Sequence, residues 1–226
     1  MKNLLIPLIC LILLSNCNRD AYKTVAYDDL ARSHQILAIL PVETITTGRV
    51  PEKLDQPVIE EIELAESKAF QISLYNQLSR RSGKSSGNIR VNFQHYSQTN
   101  AFLEEAGIDL RESWNRPPRE LADLLGVDAV VRTTVQKEYY LTDLESFGIA
   151  VATSIISLLS DSAWPWWGYA RARTSDVLVS SAVLEGEQGI AVWTTSKEQA
   201  TYWNRPHNEV VDNITRALAR RFPYRF

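Results

Sequence analysis

The chain has 226 residues, 45% hydrophobic and 23% charged, with a formal net charge of −3. This is ordinary for a folded globular chain, and so even a balance leaves no basic field of the kind that nucleic-acid binding needs. Its two cysteines, Cys10 inside an apolar leader and Cys17 just after it, exclude an intramolecular disulfide framework.

Lys2 opens the chain, and Leu4 to Leu14 form an unbroken apolar run. The run is about half the roughly 20 residues needed to cross a bilayer, and it contains Pro7, so it reads as a cleaved leader. Leu14-Ser15-Asn16-Cys17 places a cysteine where a lipoprotein signal peptidase cuts, with Asn16 where such signals usually carry Gly or Ala. Residues 1–16 are therefore expected to be a lipoprotein signal peptide, and Cys17 the lipidated residue, palmitate among its acyl chains. Loss of the leader removes Lys2 and moves the side-chain balance from −3 to −4. Asn18, where an Asp would signal inner-membrane retention of the enterobacterial type, makes the outer membrane the default, with the domain facing the periplasm. Residues 18–34 are polar and unpatterned and read as a tether, so the expected division is 17–34 for lipidated cysteine and tether and 35–226 for one globular domain.

Ile36-Leu37-Ala38-Ile39-Leu40, stopped by Pro41, reads as a buried first strand. A loop rich in Thr and Gly follows. Pro57 opens a long helix in which Ile62, Ala65, Ala69, Ile72, Phe70, Leu74 and Leu78 recur at three- and four-residue steps. Cations at Arg80 and Arg81 suit its last turn, and Gly83 is available as a left-handed cap. Ile89, Val91 and Phe93 alternate as in a half-buried strand. Thr99 or Asn100 can cap a short helix ending at Gly107. Pro117-Pro118 starts another, with Leu121, Leu124 and Leu125 inward and Gly126 at its end, and Val127–Val131 is a third strand. Phe147 to Leu159 is apolar and rich in small residues, and the aromatic run Trp164-Pro165-Trp166-Trp167-Gly168-Tyr169 follows it. Strands near Ser175–Leu184 and Ile190–Thr195 flank a polar turn, Glu185–Gly189. Val210, Val211, Ile214, Ala217, Leu218 and Phe222 mark a closing helix ended by Pro223. Alternating strands and helices predict an α/β fold: a single domain with a mixed β-sheet of about five strands flanked by helices, plus an apolar helix-and-aromatic insertion.

Chemistry-bearing motifs are absent. His34, His95 and His207 stand far apart and in no ligand pair, so no metal is expected. There is no G-x-S-x-G, P-loop or S-x-x-K, and no cofactor signature. Glu60-Glu61-Glu63 and Glu104-Glu105 sit on predicted helices and read as solvated faces. Phe147, Trp164, Trp166, Trp167 and Tyr169 form the candidate interface, with a membrane boundary, another protein or a buried cover of the sheet as the possible roles.

The first strand with Pro41-Val42, the stretch Leu121–Val131, the strand ending Ile190–Trp193 and the terminal Arg220–Tyr224 carry a family resemblance. The chain resembles a group of small bacterial envelope lipoproteins that includes the curli-secretion channel lipoprotein, the amino-terminal domain of TolB and the lipoprotein activators of penicillin-binding proteins. The terminal stretch is similar to that of uncharacterised lipoproteins of Bacteroidota. The resemblance implies a mixed sheet flanked by helices and a non-enzymatic protein-binding or assembly role.

The expected function is a membrane-tethered, non-enzymatic envelope lipoprotein that binds other envelope proteins or assembles with copies of itself. Two alternatives stand beside it. A secretion-pore subunit predicts a ring with exposed apolar hairpins, although no pair of long alternating hairpins is visible. A hydrolase predicts a pocket where residues such as His95, Asp128 and Glu138 converge.

Overall fold

The computed structural model describes residues 21–48, 56–83, 87–139, 175–201 and 207–225. Seven strands form one mixed sheet: β1 (Ala21–Lys23), β2 (Ile36–Ile39), β3 (Glu43–Gly48), β4 (Asn92–Phe93), β5 (Ala129–Tyr139), β6 (Ser175–Glu185) and β7 (Ala191–Thr201). Their order is β1-β7-β6-β5-β2-β4, with β3 also on β5. β5, β6 and β7 form an antiparallel meander that β1 extends, while β2 and β3 lie parallel to β5 and β4 parallel to β2. Among the described residues five α-helices accompany the sheet, α1 (Tyr27–Ala31), α2 (Gln56–Ser79), α3 (Tyr96–Glu105), α4 (Pro118–Leu125) and α5 (His207–Arg221), with a 3-10 turn at Glu112–Trp114. The mixed α/β fold expected from the sequence is the one observed.

β2 is covered on both faces, which is why it reads as a continuous apolar run. Leu37 and Ile39 join a core with Phe70, Leu74 and Leu78 of α2 and Val211, Ile214 and Leu218 of α5. Ala38 and Leu40 point the other way, into a core with Leu103 of α3 and Leu121, Ala122 and Leu125 of α4.

β2 and β3 run in line along β5 with an interruption at Pro41-Val42. Ile39 pairs with Val131 and Glu43 with Thr134, so this side carries one extra residue, as in a bulge. Pro41 has no N–H to give to the ladder, which suits it to that break. β3 lies where a Thr- and Gly-rich loop was expected. Thr44, Ile45, Thr46 and Thr47 are the β-branched signal that marks it.

Two further expectations change. Residues 21–34, read as tether, are built into the domain: β1 pairs with β7, and Tyr27 and Ala31 are fully buried. The inward side of α2 is also more polar than its spacing predicts, since Glu63, Glu66, Ser67 and Gln71 are buried while Ile62, Ala69 and Ile72 are only half-buried. Gly83 is no helix cap; it donates its N–H to Ile89 beside a bridge between Ser82 and Ile89.

The polar turn joining β6 and β7 sits where it was predicted. The Glu185 carboxylate accepts the N–H groups of Glu187 and Gln188 at 2.7 and 2.6 Å. Gly186 donates to Asp128 O at 2.9 Å, and a Cβ there would come within 2.8 Å of that oxygen and of Ala122 Cβ. The turn therefore packs onto the α4–β5 junction only because this residue has no side chain.

Candidate functional site

A cleft of about 500 Å³ opens beside β4, between α3 and the end of α4. Phe93, Phe102, Leu124 and Ile36 give it apolar walls, and Gln94, His95, Gln98 and Asp123 supply polar groups. Ile36 and Leu124 are 40% and 37% exposed, among the most open large apolar side chains of the described residues.

Most of the polar equipment here serves the fold. Gln94 donates to Leu37 O through its backbone and to Leu125 O through Nε2 at 2.8 Å, and its Oε1 accepts the Thr99 hydroxyl at 2.8 Å. It thereby clips the sheet edge to the end of α4 and the start of α3. His95 is the N-cap of α3: Nδ1 accepts the Ser97 N–H at 3.3 Å and lies 2.7 Å from its hydroxyl. The imidazole ring stands 4.4 Å from Tyr96 and 4.9 Å from Tyr75, centroid to centroid. Gly126, at φ 64°, ends α4 in the left-handed conformation expected of it.

The cleft lining contains no hydroxyl, thiol or amine nucleophile. Of the residues named for a hydrolase, His95 lines the cleft and Asp128 does not. Asp128 Oδ2 instead accepts the backbone N–H groups of Gln35 and Ile36 at 2.6 and 2.8 Å, tying the start of β2 to β5. The Glu138 side chain lies outside the described residues. Among the described residues no group of three or more His, Cys, Asp or Glu stands close enough to hold a metal, and no helix is long and apolar enough to cross a membrane.

A second polar cluster is buried where the chain end meets α1. Tyr224 donates its backbone N–H to Tyr27 Oη at 2.7 Å, and its own hydroxyl lies 2.7 Å from His34 Nδ1. Burial pushes the Tyr27 phenol up to about 12 and raises that of Tyr224 further. His34 is held below the ordinary imidazole value, again chiefly by burial, with Asp128 and Glu185 pulling the other way.

The carboxylates expected on a solvated face divide. Glu61 is exposed, but Glu63 is buried: it accepts the Thr46 N–H and a guanidinium N–H of Arg111, both at 2.9 Å. Glu66 is buried in an ion pair with Lys137 of β5. The signal peptide 1–16, Cys17 and the candidate interface residues Phe147, Trp164, Trp166, Trp167 and Tyr169 lie outside the described residues. Of the cleft lining, the sequence marks Ile36 and Phe93 as strand residues, Leu124, Leu125 and Gly126 as a helix and its end, and His95 as one of three scattered histidines. Gln94, Gln98 and Phe102 belong to no motif, and the fold alone brings them together.

No family model matches the chain, and no curated protein matches it. Solved structures do. Lipoprotein GNA1162 from Neisseria meningitidis is 12% identical over 81% of this chain and 94% of that one, with a TM-score of 0.46. The PelC dodecamer from Paraburkholderia phytofirmans is 12% identical over 88% and 96%, at 0.42. The LpoB C-terminal domain from Salmonella enterica is 10% identical over 78% and 92%, at 0.34. Likenesses this distant assign this chain no partner and no activity.

Proposed function

We propose that this chain is a non-enzymatic lipoprotein of the bacterial envelope, held by lipid on Cys17 at the periplasmic face of the outer membrane, and that its α/β domain binds another envelope protein through the cleft beside β4. The observation that carries this reading is the composition of that cleft. Exposed Ile36 and Leu124 stand beside exposed Asn92, His95, Gln98 and Asp123, the mixed apolar and polar make-up of a protein-binding surface, while buried Gln94 is spent on bridging and His95 on capping. Such a surface gains by covering Ile36, Phe102 and Leu124. Phe147, Trp164, Trp166, Trp167 and Tyr169 are proposed as a second contact. Tyr139 and Ser175, which flank this segment in the sequence, are register partners on β5 and β6.

The test is a photo-crosslinking amino acid at Leu124, with one at exposed Glu198 on β7 as the comparison. A discrete adduct from Leu124 in living cells, absent from Glu198, is the expected result. No adduct from the cleft, or the same adducts from both positions, would overturn the assignment of the cleft.

A further inference from the structure

The C-terminal ends of α2 and α5 gather arginines from three parts of the chain. Arg80 and Arg81 follow α2, Arg216, Arg220 and Arg221 come from α5, and Arg225 lies beyond it. Arg81 Nη1 donates to Gln77 O at 2.7 Å on the last turn of α2, and Arg225 Nη2 donates to Ala219 O at 3.0 Å on the last turn of α5; burial first, and then the charges of Arg220, Arg225, Arg216 and Arg80, hold the Arg81 guanidinium below its usual value. Two helix C-termini account for part of this, since each presents about half a negative charge. Six cations far exceed that. Arg80, Arg216 and Arg220 are exposed and form no ion pair among the described residues. The acidic residues of α5 offer little compensation. Asp212 accepts the Ser73 hydroxyl at 2.8 Å, and Glu209 lies in the first turn, at the other end of the helix. In a chain whose net charge is −3, this is a segregated positive face made entirely of arginine, the side chain suited to planar anionic groups.

The point where the chain enters the domain identifies the anion. Ala21 pairs with Thr195 of β7, and Arg221 Nη1 lies 3.3 Å from the carbonyl oxygen of Ser196, the next residue along. Arg221, at the end of α5, therefore reaches the strand on which Ala21 pairs. Only residues 18–20 separate Cys17 from Ala21, so the cysteine stands no more than about 14 Å from β1 even when fully extended. We infer that the arginine face at the ends of α2 and α5 docks on the anionic headgroups of the same bilayer that holds the lipid on Cys17, clamping the domain against the membrane instead of letting it swing on a tether.

This rests on the lipidation of Cys17, and the two are separable by experiment. The chain from Asn18 to Phe226 contains both cores whole and carries no lipid. It is mixed with phosphatidylglycerol/phosphatidylcholine vesicles and, separately, with phosphatidylcholine alone, and sedimented. The expected result is binding to the anionic vesicles only, weakening steeply with salt. Each arginine near such a surface is worth about fivefold in partitioning, so R80Q/R216Q/R220Q is expected to bind about 100-fold less. Unchanged far-ultraviolet circular dichroism and melting confirm that the triple variant is folded, and the salt titration of the unsubstituted chain does not depend on it. Equal binding to both vesicles, no binding to either, or binding to inorganic polyphosphate but not to vesicles would overturn the proposal. Mass spectrometry of the membrane-derived protein tests the lipid itself. An unacylated Cys17 would remove the anchor and leave the vesicle result to stand as a property of the face.

Discussion

Tyr224 is the one non-glycine residue with positive φ among the described residues, at 69°. A left-handed tyrosine costs about 1–2 kcal/mol, and its surroundings show what offsets that. Its N–H is taken by Tyr27, its carbonyl accepts from Arg90, and its hydroxyl meets His34. The Tyr224 hydroxyl and His34 Nδ1 share one hydrogen bond, and His34 Nε2 is a buried atom with no hydrogen-bond partner. A doubly protonated ring would bury a charge and an Nε2–H with nothing to donate to, so the fold favours the neutral imidazole. Because the folded value is depressed below the unfolded one, the unfolded chain binds the extra proton first. Stability is then fullest above the ordinary imidazole range and falls as pH drops through that range toward the folded value. Urea denaturation from about pH 8 to about pH 5 should show this decline, and His34→Gln should flatten it across that window. An unchanged pH profile in the variant would remove His34 as its source.

At the scale of elements, α2 shows what sequence reading reached and where it stopped. Phe70, Leu74 and Leu78 follow helical spacing, and they face the core as that spacing requires. Glu63 stands in a run of carboxylates that reads as solvated, because the groups that hold it come from far along the chain. Thr46 is in a strand that was read as loop, and Arg111 is 48 residues away. β2, β4, β5, β6 and β7 were visible because apolar alternation or continuity marks them. β1 was not, since its three residues are mostly exposed and only the β7 partner makes them a strand. The cleft was illegible for the same reason, its walls coming from β2, the β4 edge, α3 and α4. Glu61→Ala and Glu63→Ala separate the two kinds of carboxylate. Glu61 is exposed, and its loss should shift stability by less than about 0.5 kcal/mol. Loss of Glu63 orphans the Thr46 N–H where β3 meets α2 and should cost about 1–3 kcal/mol. The Arg111 pair adds little to this, because Arg111 is 36% exposed and its charge is screened. Urea midpoints measured at constant slope would decide, and equal effects would mean that Glu63 does not pin β3.

For the whole molecule, the decisive feature is how residues 21–34 are packed. A boundary at residue 35 cuts at a change in sequence character, yet the core extends across it. Tyr27 and Ala31 are each only 1% exposed and lie in the same cluster as Trp193, Phe222 and Tyr224. The first 14 described residues thus close the far edge of the sheet through β1 and seat the chain end through Tyr27, joining the molecule's two termini in one packed region. Removing them exposes the edge of β7, empties the space under Tyr224 and leaves its N–H without an acceptor. Lost burial of Tyr27 and Ala31 amounts to about 2–3 kcal/mol, and the orphaned donor adds about 1–3 kcal/mol. Against the roughly 5–15 kcal/mol that holds a domain of this size together, that loss is enough to bring it to the margin. A chain starting at Gln35 is therefore expected to melt about 6–24 °C below one starting at Asn18, with its β7 edge open to association with other copies. Thermal melts and light scattering of the two chains side by side provide the check. Equal melting temperatures would mean that residues 21–34 merely lie on the domain, and would restore them as a tether long enough to free it from the membrane.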